Sequence, residues 1–342
     1  MTDTTQMRRE IEEIPAAVTR LLTEGRAAIE DTAAALRARD PDLVITVARG
    51  SSDHAATFFK YACELALGLP VASVGPSVAS VYNVPLRARN AASLGISQSG
   101  KSPDIVALAR ALTDQGAASV AITNDATSPL AAASRHTLAM QAGPELSVAA
   151  TKTYVASLVA GLALVAHWRK DDALIAALDA LPPLLEQAVA IDWPDLREEL
   201  QDKSELYVLG RGTSYAVSNE AALKFKETCQ IHAESYSSAE VLHGPVSVVR
   251  PGFPVLALIA RDATEAGIVE VSDRLAEQGA HVYATSPKAT AAHVLDSVAT
   301  GHPLTDPIAL ITSFYAFVEK LAVARGNNPD LPRNLRKVTE TV

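Results

Sequence analysis

Cysteine is close to absent: Cys63 and Cys229 are the only two in 342 residues. Two thiols cannot build a disulfide framework, and the count fits a reducing, cytoplasmic setting. Positive charge is in deficit. Lys and Arg number 30 against 39 Asp and Glu, a net charge of −9, whereas a nucleic-acid surface needs a basic patch. No nucleic-acid partner is expected. Long apolar runs are missing too. Stretches such as Val155–Ala166 are too short to span a bilayer and contain Gly161, so no membrane partner is expected. The opening residues, Met1 to Glu10, carry acids early and no apolar core, unlike a signal peptide.

What is present is ordinary for a globular chain, with 48% apolar and 20% charged residues and a length that suggests two domains. The first forty residues read as two helices: Ile11, Ile14, Val18, Leu21 and Leu22 fall at helical spacing until Gly25 interrupts. Leu43-Val-Ile-Thr-Val-Ala then reads as a buried parallel strand, running into Arg49-Gly-Ser-Ser and a helix to about Leu67.

The pattern recurs. Leu206-Tyr-Val-Leu-Gly runs into Arg211-Gly-Thr-Ser, 162 residues further on. Asp114-Gln-Gly-Ala before the strand Ser119-Val-Ala-Ile-Thr is matched by Glu277-Gln-Gly-Ala before His281-Val-Tyr-Ala-Thr, at a spacing of 163. Two turns repeating in step predict a duplicated α/β domain, over 40–170 and 195–325. Helices precede it over 1–39, a helical linker broken at Pro182-Pro183 spans 171–194, and a tail follows over 326–342. Strands alternating with helices imply parallel sheets covered on both faces, with ligands beyond the carboxyl ends of the strands.

The sharpest motif at such an end is Ser97-Gln98-Ser99-Gly100-Lys101-Ser102-Pro103-Asp104. Ser102 suits an N-cap, Pro103 the first helical position and Asp104 the first turn. Ser97, Ser99 and Ser102 would then stand beside unpaired amides at a helix N-terminus, which favours an anion over a merely well-capped turn. With net charge −9, long-range attraction would not bring a phosphate ester in. Local dipoles and hydroxyls would have to hold it. The second copy, Leu258-Ile-Ala-Arg-Asp-Ala-Thr, lacks the serines, so only the first is expected to hold phosphate.

Other signals are weaker. Ser51 and Ser52 could line a sugar site or simply make a turn. Gly210-Arg-Gly-Thr-Ser-Tyr starts like a dinucleotide fingerprint but lacks its third glycine. In the helix expected from near Tyr215, Lys224 and Glu227 share a face. Taken alone they read as a surface ion pair sooner than as a base tuned by a lysine. His243, before Gly244-Pro245, and Lys337, in a proline-extended tail, read alone as a turn histidine and a solvated lysine. His232 and Glu234 complete no metal array, so no metal is expected.

Taken together, Ser97-Gln-Ser-Gly, Glu145-Leu-Ser-Val-Ala-Ala-Thr-Lys, Leu223-Lys-Phe-Lys-Glu, His232-Ala-Glu, Glu240-Val-Leu-His-Gly-Pro and Asp330-Leu-Pro-Arg-Asn-Leu-Arg-Lys-Val-Thr resemble the sugar isomerase (SIS) family. The chain is similar to the isomerase half of glucosamine-6-phosphate synthase over nearly its whole length, and more so to the stand-alone SIS-type glucosamine-6-phosphate deaminases. The resemblance implies two tandem SIS domains and a phosphorylated amino sugar as substrate, without a cofactor. It implies Ser97, Gln98, Ser99 and Ser102 on the phosphate, with Ser51, Ser52 and Ala149 near the sugar. It matches Glu227 to the base moving a proton between C1 and C2, and Lys224 to the lysine beside it. His243 matches the ring-opening histidine lent by the other subunit of a homodimer, and Lys337 the Schiff-base lysine.

Lys101 and Ala150 depart from the synthase pattern, which usually has an acid and a serine there. No N-terminal cysteine nucleophile or amidotransferase half is seen, so the expectation is the reverse chemistry, deamination of glucosamine 6-phosphate to fructose 6-phosphate and ammonia. Another aldose–ketose isomerase, a galactosamine-6-phosphate deaminase, a deglycase and a non-catalytic phosphosugar sensor stay open.

Overall fold

The computed structural model describes residues 4–337. They divide into two units. One comprises Ile14–Glu145, Lys152–Asp179 and the tail from Arg336; the other comprises the chain up to Glu13, Leu146–Thr151 and Ala180–Leu335.

The first unit is built on five strands, β1 (Leu43–Val47), β2 (Val71–Ser73), β3 (Ala91–Ile96), β4 (Ala118–Thr123) and β5 (His136–Ala139). All pair in parallel, in the order β2-β1-β3-β4-β5. Every residue of β3 is buried, as a strand covered on both faces requires. The helix Lys152–Arg169 buries every residue except His167 and Arg169. A Cβ on its Gly161 would stand 3.2 Å from the Phe59 ring of the helix Ser51–Leu67, so the small residue lets the two helices approach closely.

The second unit repeats the plan with β6 (Glu205–Gly210), β7 (His232–Ser237), β8 (Pro254–Ala257), β9 (His281–Ala284) and β10 (His293–Val294). Their parallel order, β7-β6-β8-β9-β10, is that of the first sheet. The two turns that repeat in the sequence repeat in their backbone angles. Gly50 has φ 55°, ψ −134° and Gly212 has φ 59°, ψ −133°. Gln115 and Gln278 sit at φ −79° and −80° with ψ 1° in both, and Gly116 and Gly279 follow at φ 93° and 95°. The chain therefore holds two tandem α/β domains of one design.

The helix Asp306–Ala324 is long and apolar enough to cross a membrane, but 83% of its apolar window is buried in the fold. Its Phe314 and Phe317 pack on Phe225 and Trp193 at ring-centroid distances of 5.1 and 5.4 Å. It is a core helix.

Three expectations need correction. The opening region holds three helices, Gln6–Glu12, Ile14–Glu24 and Arg26–Arg39. Pro15, in the first turn of the second, lacks the amide hydrogen that would continue the first helix's ladder. Pro182-Pro183 do not break the linker. They sit in the first turn of the helix Leu181–Ala190, where proline fits. The helix after β6 starts at Thr213, not Tyr215.

Candidate active site

In the first unit the strand order reverses between β1 and β3, and sheets of this kind bind ligands beyond the carboxyl ends of the strands at such a switch point. The turn after β1 supplies Ser51 and Ser52, half-buried at the start of the helix Ser51–Leu67. The turn after β3 supplies Ser97, Gln98, Ser99 and Ser102. Arg49 in the first turn pairs with Asp104 in the second at 2.5 Å, and the Asp104 carboxylate is fully buried. Sequence reasoning gave Asp104 a helix-start role alone. A buried carboxylate requires a partner, and Arg49 provides it, so the ion pair fixes the two hydroxyl-bearing turns against each other.

The serine turn is tight. Ser97 Oγ accepts the Gly100 amide at 3.1 Å, and Ser99 Oγ accepts the Lys101 amide at 3.3 Å. Gly100 has φ +62°, and a Cβ there would stand 2.2 Å from Ser128 Oγ. No side chain fits. Ser102 occupies the N-cap in an extended conformation, but its hydroxyl makes no capping bond, against the expectation that it caps the helix. The serine hydroxyl hydrogens stay available to an anion, but the amides of Gly100, Lys101 and Ile105 are already taken by Ser97, Ser99 and Asp104.

The matching turn of the second unit is plugged. Asp262 takes the Thr264 amide at 2.7 Å and the Thr264 hydroxyl at 2.6 Å. An internal carboxylate thus occupies one amide at a helix start, the kind of position where the first copy carries serines and where Asp104 takes the Ile105 amide at 2.8 Å.

The second unit carries Lys224 and Glu227, the residues expected from the sequence to move the proton. Lys224 is fully buried between Glu220 at 2.7 Å and Glu227 at 2.9 Å. The surface-pair reading of Lys224 and Glu227 is therefore overturned. Tyr315 of the core helix donates to Glu220 at 2.9 Å. Burial alone would lower the lysine's pKa, yet the two carboxylates outweigh it and hold the ammonium charged, above its ordinary range. Glu227 is 21% exposed and rides on a π-helical turn, Phe225–Cys229, a feature frequent at functional sites. Glu220 was missed in the sequence, although its spacing of four and seven from Lys224 and Glu227 places all three on one helical face.

His243 is exposed at the end of the short turn Glu240–His243, before Gly244 at φ +151°. Ala149 is buried in the loop Leu146–Thr151. Lys337 is not solvated. Its ammonium stands 2.9 Å from Glu145, a pairing with no local signal because 192 residues separate them. Glu145 also accepts the Thr153 amide at 3.1 Å and hydroxyl at 2.6 Å. Lys101 is exposed, 3.8 Å from Asp125.

Burial pushes the Cys63 and Cys229 thiols up to about 12, which leaves neither as a nucleophile. His232 and Glu234, 3.9 Å apart, are both exposed, and no three His, Cys, Asp or Glu residues gather as a metal site among the described residues.

The SIS domain model matches residues 39–167 and 199–324. The chain is 33% identical over 301 residues to a glutamine–fructose-6-phosphate aminotransferase (isomerizing) of Sulfolobus acidocaldarius, covering 86% of this chain and 49% of that one. It spans about half the length of the curated relatives it matches. A crystal structure from Silicibacter pomeroyi DSS-3, provisionally named a phosphosugar isomerase, is 61% identical with a TM-score of 0.93, over 96% of this chain and 100% of that one. The glucosamine-6-phosphate deaminase of Thermotoga maritima shares the fold at 19% identity and TM-score 0.73, over 95% and 100% of the two chains.

Proposed function

Because the chain belongs to the SIS domain family, we propose that it is a phosphosugar isomerase-type enzyme, and more finely a deaminase that turns glucosamine 6-phosphate into fructose 6-phosphate and ammonia. The observation that carries the reading is Glu227, set on a π turn with the permanently charged Lys224 at 2.9 Å. A partly exposed carboxylate beside a fixed cation is suited to move a proton without changing the net charge around it.

Each residue has a distinct task. Ser97, Gln98, Ser99 and Ser102 take the phosphate, and Ser51, Ser52 and Ala149 line the sugar. His243 opens the ring by shuttling a proton between the ring oxygen and the C1 hydroxyl. Glu227 then removes the C2 proton of the open-chain amino aldose and returns it at C1. C1 is reduced and C2 oxidised within one molecule, which leaves an imine at C2. Water adds there and ammonia departs, so one water enters for each ammonia released. Lys337 is the amine able to exchange with that imine, once it leaves Glu145 and loses its proton. No cofactor takes part.

The divisions expected from the sequence fit this labour: phosphate binding in 40–170, proton transfer in 195–325, and the tail lysine in 326–342. The reading extends to a cytoplasmic homodimer in which His243 serves the partner's site. Mixing inactive Glu227→Gln and His243→Ala chains should then restore activity, because one site of each mixed dimer carries neither defect. Mixtures that stay dead after proven subunit exchange would discard shared sites.

The test of the function is ammonia and ketose release from a panel of hexosamine 6-phosphates, with fructose 6-phosphate isomerisation and glycated amines in parallel. Glucosamine 6-phosphate should release the two products in equal amounts. Ketose–aldose exchange without ammonia would leave a plain isomerase. Activity on the galacto epimer or on glycated amines alone would move the assignment to those substrates.

A further inference from the structure

Glu10 is a carboxylate that the proposed chemistry does not use, and it is fully buried. It lies in the helix Gln6–Glu12. Its Oε1 accepts the amides of Leu146 at 2.5 Å and Ser147 at 3.3 Å, and its Oε2 accepts Ser147 at 3.3 Å. The Gln6 side-chain amide braces Oε1 at 3.2 Å. Those amides open the loop Leu146–Thr151, which holds Ala149, and they directly follow Glu145, the partner of Lys337.

The same helix is held from its other end by the tail. Asp330 accepts the amides of Gln6 at 2.8 Å and Met7 at 2.7 Å, and its carbonyl takes the amide of Val148 at 3.2 Å. Thr5 and Arg8 tie the helix to Glu319 of the core helix at 2.7 and 2.5 Å. Loop, helix and tail thus close a ring of hydrogen bonds: Glu10 to Leu146 and Ser147, Val148 to Asp330, Asp330 back to Gln6 and Met7. A buried charge keeps such a place only if its bonds are kept. Leu146 and Leu331 are exposed at 68% and 72%, so apolar packing of those side chains does not order the loop or the tail. The polar ring ties the two together, beside the buried Ala149, Pro329 and Pro332.

We propose that Glu10 is a positioning residue whose buried carboxylate sets the backbone of the sugar-side loop and, with Asp330, the path of the tail that carries Lys337. The catalytic half of this inference rests on the function proposed above; the ordering of loop and tail does not.

Glu10→Ala deletes the acceptor, and Glu10→Gln keeps one carbonyl oxygen for Leu146 and Ser147. Hydrogen exchange should rise in Glu10→Ala over 145–151 and 328–335 while both sheets stay protected. Glu10→Gln should restore much of that protection. On the active substrate, Glu10→Ala should lower kcat/KM by about tenfold to a hundredfold, the scale of a small misplacement near the reacting atoms, with partial rescue by Gln. Should Glu10→Ala fail to fold, Asp330→Asn loosens the same ring from the tail and is held to the same outcomes.

Exchange that rises evenly over the whole second unit, or no rescue by Gln, would reduce Glu10 to a general stabiliser and overturn the proposal. So would unchanged exchange with parental kinetics. If the parent turns over no phosphosugar, the functional reading falls, while the exchange pattern still decides whether Glu10 orders the loop.

Discussion

Lys337 Nζ and Glu145 Oε2 stand 2.9 Å apart, and the carboxylate of this pair is wholly buried. The tail lysine is therefore stored as an ion pair. To act as an amine it must give up both its partner and its proton. Lys337→Arg keeps the pair but cannot form an imine. The expected outcome is loss of turnover on the order of 100-fold or more with phosphosugar affinity retained, read by steady-state kinetics and calorimetric titration of a hexose 6-phosphate. An Arg variant with parental turnover would remove Lys337 from the chemistry.

The serine turn should report on binding. Replacing Ser97 and Ser99 together by alanine removes two hydroxyls available to a charged group, each bond contributing roughly 1.5–3 kcal/mol. Affinity for hexose 6-phosphates should fall at least roughly tenfold while the circular dichroism spectrum stays unchanged. Parental affinity in the double variant would move the phosphate elsewhere.

Glu227 and Lys224 should separate chemistry from stability. Glu227→Gln keeps shape and loses basicity, so turnover should fall about 100-fold or more, and solvent deuterium should no longer enter at C1 or C2. Lys224→Met strips the cation from between two carboxylates in a buried place. It should also destabilise the fold, by about 3–5 kcal/mol, in urea unfolding. A Lys224→Met chain as stable as the parent would mean the triad is less buried than it stands.

A fourth expectation concerns acid. Asp273 is subject to some burial, which raises its pKa. The amides of Ala292, Ala291 and Thr290 and the Thr290 hydroxyl outweigh this, at 2.7–3.0 Å, and hold its carboxyl at about 2, below its ordinary 3.8. A depressed carboxylate contributes in full above its unfolded pKa and is lost as pH falls through its folded one. Stability should therefore drop between about pH 4 and 2, and Asp273→Asn should flatten that slope in denaturant midpoints measured across the range. Equal slopes in the two chains would assign the acid loss to other groups.

The fold was legible where chemistry repeats locally. A short apolar run before Arg-Gly-Ser-Ser and again before Arg-Gly-Thr-Ser was enough to mark the duplication, because the same turn demands the same glycine in the same conformation. Ser97 to Ser102 was legible as a loop for the same reason. Three things were not. The π turn at Phe225–Cys229 leaves no periodic trace, since one widened turn is shorter than the window over which periodicity is read. Pro182-Pro183 read as a break because proline ends helices more visibly than it starts them. Glu10 with Leu146, Arg49 with Asp104, and Lys337 with Glu145 are pairs set by tertiary packing, and a charged residue in sequence shows no sign of its distant partner.

The plug at Asp262 has a consequence for how the chain senses its surroundings. One of the two sister turns brings its own anion as a covalent part of the chain, tied to Thr264 at 2.7 and 2.6 Å; on the proposed function, the other would add one from solution beside its serines. On the proposed function, the chain would respond to phosphate in one half only. The turn of the second unit, the unit that also carries Lys224 and Glu227, is closed by a carboxylate that never diffuses away.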